Sequence, residues 1–203
     1  MRNGGRTFAS IAALVEHKGD RCFLTAGHVV EGRQIGDRLR GMSWDCCNLY
    51  VRKTPVGRID AGLLEADCGS PCLTFSRGQV VETSHQQTDR LTTSQPVRAH
   101  LGKSRSTPRC SISMTVYPDK SILNSAALAE FFITDYGQKG DSGSLVCSDH
   151  DVGDHSLRLL GVYCGMTTVE HEDGTRERWG HVLDIKDATR ILRANVEGGV
   201  FNV

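Results

Sequence analysis

Gly140-Asp141-Ser142-Gly143-Ser144 is the stretch around which the rest of the chain is organised. Apolar Phe131-Phe132-Ile133 precedes it and Leu145-Val146-Cys147 follows, which predicts a tight turn between two strands. The glycines permit backbone angles that residues with a side chain resist, and they let another chain come close to the backbone. The N–H groups of Gly140 and Ser142 can face one point and stabilise an oxyanion. A polar strand-connecting turn would carry the same residues. A base and an orienting acid must therefore be sought elsewhere.

The base candidate lies upstream. Residues 7–15 are apolar enough for a strand, His17-Lys18-Gly19-Asp20 is a turn cluster, and Cys22-Phe23-Leu24-Thr25-Ala26 returns, so 8–26 predicts a hairpin. It ends at Gly27-His28, where the imidazole can be presented to a cleft. The acid candidate is Asp60, inside the otherwise apolar Ile59-Asp60-Ala61-Gly62-Leu63-Leu64. A carboxylate there needs a partner, because an unpaired buried charge is costly. Asp37, Asp45 and Asp67 lie in more polar surroundings and read as solvated.

Residues 82–96, rich in Thr, Ser and Gln, read as a connector between two halves. Ile112, Met114 and Val116 alternate with polar residues, as in a half-buried strand. Leu145–Cys147 and Leu159–Cys164 predict paired strands, Trp179–Ile185 another, and the spacing around 185–194 one short terminal helix. The chain of 203 residues is long enough for a substantial core.

Lys plus Arg and Asp plus Glu balance at 24 each, which gives no global electrostatic reason to expect nucleic acid or a membrane surface. No run reaches the roughly 20 apolar residues of a membrane helix. The N-terminus has no apolar signal core, so a complete chain would be expected in the cytosol. The eight cysteines are too sparse for a stapled secreted domain. Cys46-Cys47 and Cys68-x-x-x-Cys72 could be read as zinc ligands, but neither has a second pair at finger spacing. Reduced structural thiols are the expectation, with no metal.

His28, Asp60 and Ser142, in that order, resemble the catalytic set of the trypsin/chymotrypsin-like serine endopeptidases. Thr25-Ala26-Gly27-His28 is similar to that family's Thr-Ala-Ala-His, and Gly140-Asp141-Ser142-Gly143-Ser144 to its Gly-Asp-Ser-Gly-Gly. Ile59-Asp60-Ala61-Gly62-Leu63-Leu64 is similar to its Asp-Ile-Ala-Leu-Leu. The resemblance implies an all-β fold of two antiparallel Greek-key barrels with a cleft between them. Residues 1–96, with the connector, would form the first barrel, and residues 97–203, with the helix, the second. It implies peptide-bond hydrolysis on protein or peptide substrates, with no cofactor. Ser142 would be the nucleophile, His28 the general base and acid, and Asp60 the orienting acid. Gly140 and Ser142 would supply the oxyanion hole. A silent protein-binding module on the same fold is the alternative.

The sequence departs from the family in several places. The Ile-Val-Gly-Gly start of zymogen-activated relatives is missing, so Asp141 needs a partner other than a new N-terminal amine, and the sequence names none. The chain is more similar to bacterial, viral or intracellular members that fold directly into active form. Val29 stands where the family often has Cys, and the short interval between His28 and Asp60 implies trimmed loops. By resemblance the substrate-binding residues would be Tyr136, Lys139, Tyr163, Cys164, Gly165 and His181. Tyr136 holds the position that selects the substrate side chain, with Asp135 adjacent. Tyr163-Cys164-Gly165 is similar to the strand that pairs with substrate backbone. His181 would either favour an acidic side chain or simply pack in its strand.

Overall fold

The computed structural model describes residues 10–44, 47–55, 59–67, 80–82, 91–116, 130–134, 137–149 and 156–196. Tyr136, Asp135 and most of the polar connector lie outside the described residues. The first sheet is built from β1 (Ala13–His17), β2 (Asp20–Thr25), β3 (Arg38–Trp44), β4 (Cys47–Lys53) and β5 (Gly62–Ala66). A short β6 (Val80–Glu82) follows. The second sheet is built from β7 (Pro96–His100), β8 (Arg109–Val116), β9 (Glu130–Thr134), β10 (Leu145–Ser148), β11 (Ser156–Glu170) and β12 (Arg176–Asp184). Helix α1 (Ile185–Leu192) and β13 (Asn195–Val196) end the chain's described part.

The hairpin expected over 8–26 is β1 and β2, paired from Ala13↔Leu24 to His17↔Asp20. Its two turn residues, Lys18 and Gly19, both have positive φ, as the twist of a two-residue hairpin demands. Of the strand expected over 7–15, residues 7–9 lie outside the described residues, and residues 10–12 stay out of β1 as Ser10 N–H donates to Ser142 O at 2.8 Å.

The first sheet runs β13-β1-β2-β5-β4-β3, and the order β2-β5-β4-β3 is a Greek key. The second runs β10-β7-β8-β9-β12-β11-β6, again a Greek key in β10-β7-β8-β9. Pairing of β10 with β11 closes six of its strands into a barrel, which removes their exposed edges. The fold is thus the all-β double-barrel arrangement with one short C-terminal helix. The chain crosses the expected division at residue 96 in both directions. β6 pairs in parallel with β11, and β13 returns to pair with β1.

Alternation along the strands explains how the two sheets come together. In β1, Leu14 joins the interior of the first sheet, with Phe23, Val30, Leu39, Leu49, Val51 and Leu64. Its neighbours Ala13 and Val15 point the other way, as period-2 geometry requires. They enter a shared layer with Leu24, Leu63, Leu145, Val162, Ile185 and Leu192. That layer holds residues of both sheets and of α1, so the sheets are seated on one apolar floor. The helix begins where the Asp184 carboxylate accepts from Lys186 N–H and Asp187 N–H, and stops at Arg193, whose φ is 53°.

Candidate active site

His28 sits on a single 3-10 turn, Gly27–Val29, that follows β2. Gly27 packs so closely on the 60–61 backbone that a Cβ would stand 2.6 Å from Ala61 N and 2.8 Å from Pro55 Cγ. Only glycine permits that approach. It brings the His28 backbone N–H to Asp60 Oδ1 at 2.6 Å and ring Nδ1 to Oδ2 at 2.9 Å and Oδ1 at 3.1 Å. The partner that Asp60 needed is therefore His28, which grips it with both backbone and ring.

The electrostatics follow from that contact. The hydrogen bond to Asp60 raises the His28 pKa above its usual 6.5, and partial burial opposes it. Burial alone would raise the Asp60 pKa, but the ring and backbone N–H of His28 outweigh it, and the carboxyl sits below its usual range. With Nδ1–H committed to the carboxylate, a neutral imidazole presents Nε2 as a base.

Ser142 lies on the loop before β10, between Gly140 at φ 104° and Gly143 at φ 94°. Asp141, fully buried, is the anchor of that loop. Its Oδ1 accepts from Ser104 N–H at 2.8 Å, and its Oδ2 from the Ser104 hydroxyl at 2.5 Å and from Gln138 N–H at 2.9 Å. Ser104 is thus the partner the sequence does not name. It stands in the turn closed by the Leu101↔Ser106 bridge, close in space through tertiary structure alone.

The N–H groups of the loop divide into two sets. Asp141 N–H donates to Gln138 O, Gly143 N–H to Tyr163 O and Ser144 N–H to Asp141 O. Among the described residues, the N–H groups of Gly140 and Ser142 have no acceptor. These are the same two N–H groups that the sequence offers as candidate oxyanion donors.

Ser10 was not foreseen as a site residue. Its hydroxyl donates to Gly140 O at 3.2 Å, its N–H to Ser142 O, and its carbonyl accepts the Thr25 hydroxyl at 2.8 Å. It therefore ties the serine loop to the end of the strand that carries His28. A Cβ on Gly143 would lie 2.0 Å from Ser10 O, so the second glycine of the loop makes room for this clamp.

On the far side of Ser142 runs β11. The Ser142 hydroxyl donates to Cys164 O at 3.4 Å, and among the described residues no hydrogen bond joins it to His28. The Cys164 thiol donates to Asp60 O at 3.5 Å, so this one residue touches both the acid's backbone and the serine. Burial raises the Cys164 pKa well above its ordinary value, which leaves the thiol protonated and unreactive. Cys22, Cys110 and Cys147 are likewise buried, and none of them forms a disulfide among the described residues. Gly165 faces Ser142 directly, its Cβ position 3.9 Å from Ser142 Oγ.

The other expected binding residues separate. Lys139 is exposed on the serine loop. Tyr163 is buried in the interior of the second barrel. His181 stacks on Phe132 at a centroid distance of 5.3 Å, with Nε2 3.2 Å from Glu130 Oε2. Among the described residues no group of His, Cys, Asp and Glu is placed to hold a metal ion.

This double-barrel architecture is that of the chymotrypsin-like bacterial serine proteases. A glutamic-acid-specific serine protease that uses a histidine triad in substrate binding superposes with a TM-score of 0.62 at 17% identity, over 93% of each chain. Thermobifida fusca protease A gives 0.62 at 17% identity, over 96% of this chain and 94% of that one. Cellulomonas bogoriensis chymotrypsin gives 0.61 at 15%, over 97% and 94%. No family model matches the chain, and no curated protein does.

Proposed function

We propose that the chain is a serine endopeptidase in which Ser142 is acylated, His28 moves the proton and Asp60 orients His28. The observation that carries it is the hydrogen-bonded His28–Asp60 pair, with ring nitrogen and carboxylate at 2.9 Å, linked through Cys164 to a serine whose own N–H and that of Gly140 have no acceptor among the described residues. A serine hydroxyl is a weak nucleophile until a base takes its proton. His28 Nε2 accepts it as Oγ attacks the scissile carbonyl, and Asp60 stabilises the imidazolium that forms. The Gly140 and Ser142 N–H groups meet the charge that develops on the carbonyl oxygen. His28 then protonates the leaving amine, and water releases the acid. Proteases with the same fold support peptide or protein as the substrate class.

Reaction of the full chain with an alkyl fluorophosphonate tests this. Ser142 should be labelled at neutral pH, and His28→Ala should abolish labelling while circular dichroism stays unchanged. Folded wild-type protein that stays unlabelled would refute the proposal.

A second reading, a binding module without turnover, draws on one observation: the Ser142 hydroxyl is turned to Cys164 O instead of His28. Catalytic hydrogen bonds often tighten only when substrate is bound. Peptide binding that Ser142→Ala leaves intact, with no cleavage by wild type, would favour the module.

A further inference from the structure

Two glycines and one tyrosine shape the molecule behind Ser142. Gly137 precedes Ser142 on the same loop and is buried. A Cβ there would stand 2.2 Å from the Tyr163 hydroxyl oxygen, 2.6 Å from Cζ and 2.9 Å from Cε1. Gly180 lies on β12, and a Cβ there would stand 2.7 Å from Tyr163 Cε2 and 2.9 Å from Ile133 Cγ1. The phenol therefore fills, from both ends, the space that two ordinary side chains would occupy. Only 2% of Tyr163 is exposed.

The backbone of Tyr163 is fixed to the nucleophile's own loop. Its N–H donates to Ser144 O at 2.8 Å, and its carbonyl accepts Gly143 N–H at 2.7 Å. The next carbonyl, Cys164 O, takes the Ser142 hydroxyl. Withdrawing the ring by a backbone shift would move the loop that carries Ser142.

We infer that Tyr163 is the specificity-determining residue of this site, closing the recess behind Ser142 so that cleavage follows only small residues: Gly, Ala or Ser. This rests on Ser142 being the acylating nucleophile. When its Oγ attacks a carbonyl carbon whose oxygen lies on the Gly140 and Ser142 N–H groups, the adjoining side chain is directed inward between the serine loop and β11. Gly165 leaves room for the peptide backbone there, and the Tyr163 ring bars the way beyond. Among the described residues, charged side chains fare no better. Asp141, the acid of the serine loop, is consumed by Ser104 and Gln138. The imidazole of His181 already faces Glu130 and is stacked on Phe132. One phenolic hydroxyl would not offset the burial of a substrate carboxylate.

Peptidyl diphenyl phosphonates that differ only in the side chain at the reacting carbon test the inference on the full chain. Methyl, isobutyl, benzyl, aminobutyl and carboxyethyl probes are compared, with an alkyl fluorophosphonate beside them. The methyl probe should react with wild type at least about tenfold faster than the others, the scale on which an apolar recess discriminates size. Tyr163→Ala should raise the isobutyl and benzyl rates relative to methyl by about tenfold or more. Tyr163→Phe, which keeps the ring, should preserve the wild-type order. If Tyr163→Ala fails to fold, the orders in wild type and Tyr163→Phe decide. Any larger side chain reacting as fast as methyl overturns the inference, as does an unchanged ratio in folded Tyr163→Ala. So does silence of every peptide probe where the fluorophosphonate labels. Failure of the fluorophosphonate itself removes the nucleophile, and both readings fall with it.

Discussion

At the scale of single residues, the contact between His28 and Asp60 should set the pH dependence of the proposed activity. A base must be neutral to accept a proton, and the Asp60 hydrogen bond raises the His28 pKa above 6.5. Activity should therefore fall as pH drops through that raised pKa, with the midpoint of kcat/KM above 6.5. Asp60→Asn removes the carboxylate that favours the imidazolium, so the acid limb should move to lower pH. The rate on its plateau should drop by ~10,000-fold, as expected when the orienting acid of such a triad becomes an amide. A limb that stays in place would mean that Asp60 does not control the ring. Ser104 acts at the same scale. Ser104→Ala takes one donor from a fully buried carboxylate and should cost about 1–3 kcal/mol in denaturant unfolding. Its kcat should fall more than its KM rises, because Asp141 shapes the loop that carries the proposed oxyanion donors. Blocking the N-terminal amine should change nothing, since Ser104 and Gln138 already hold Asp141.

Among the elements, the turns separate glycines that are indispensable from glycines that are merely convenient. Gly143 has φ 94°, and a Cβ there would meet Ser10 O at 2.0 Å and the Thr25 hydroxyl at 2.5 Å. Gly174, in the turn between β11 and β12, has φ 79° and open space around it. Gly174→Ala should cost only the roughly 1–2 kcal/mol of a left-handed backbone and leave labelling of Ser142 intact. Gly143→Ala should cost more and abolish labelling, because the clamp from Ser10 must break. Thermal unfolding alongside fluorophosphonate labelling compares them, and equal effects would show that the Ser10 clamp is unimportant. The sequence marks both glycines as turn residues and cannot rank them. Their ranking depends on Ser10, which lies far away along the chain.

Over the whole molecule, the two sheets and α1 share one apolar layer. Leu192 is fully buried there, with Leu24 and Val15 of the first sheet and Leu145 of the second in the same cluster. Its backbone carbonyl also accepts Lys53 Nζ at 2.6 Å. Leu192→Ala should lower stability by about 2–5 kcal/mol, the range for emptying a buried leucine site. Urea unfolding measures it, and a loss under 1 kcal/mol on the same scale would mean that the helix is not part of the floor.

The sequence by itself carried most of the strand pattern and the candidate residues for a site, and its resemblance to the trypsin/chymotrypsin-like family implied the double-barrel class. The strands and candidates are readable because alternation, glycine turns and a carboxylate within an apolar run are local physical signals. Even the need of Asp60 for a partner followed from the cost of burying its charge. Only the tertiary structure decided which groups meet. Ser104 on Asp141, Ser10 beneath the serine loop, Cys164 between Asp60 and Ser142, and the Tyr163 ring against Gly137 and Gly180 are all contacts between distant residues. Ser, Cys, Tyr and Gly occur throughout this chain, and none carries a mark of its partner. Closing the barrel and pressing the two sheets onto a common layer creates those contacts. That is why the candidate chemistry was legible along the chain and its support and selectivity were not.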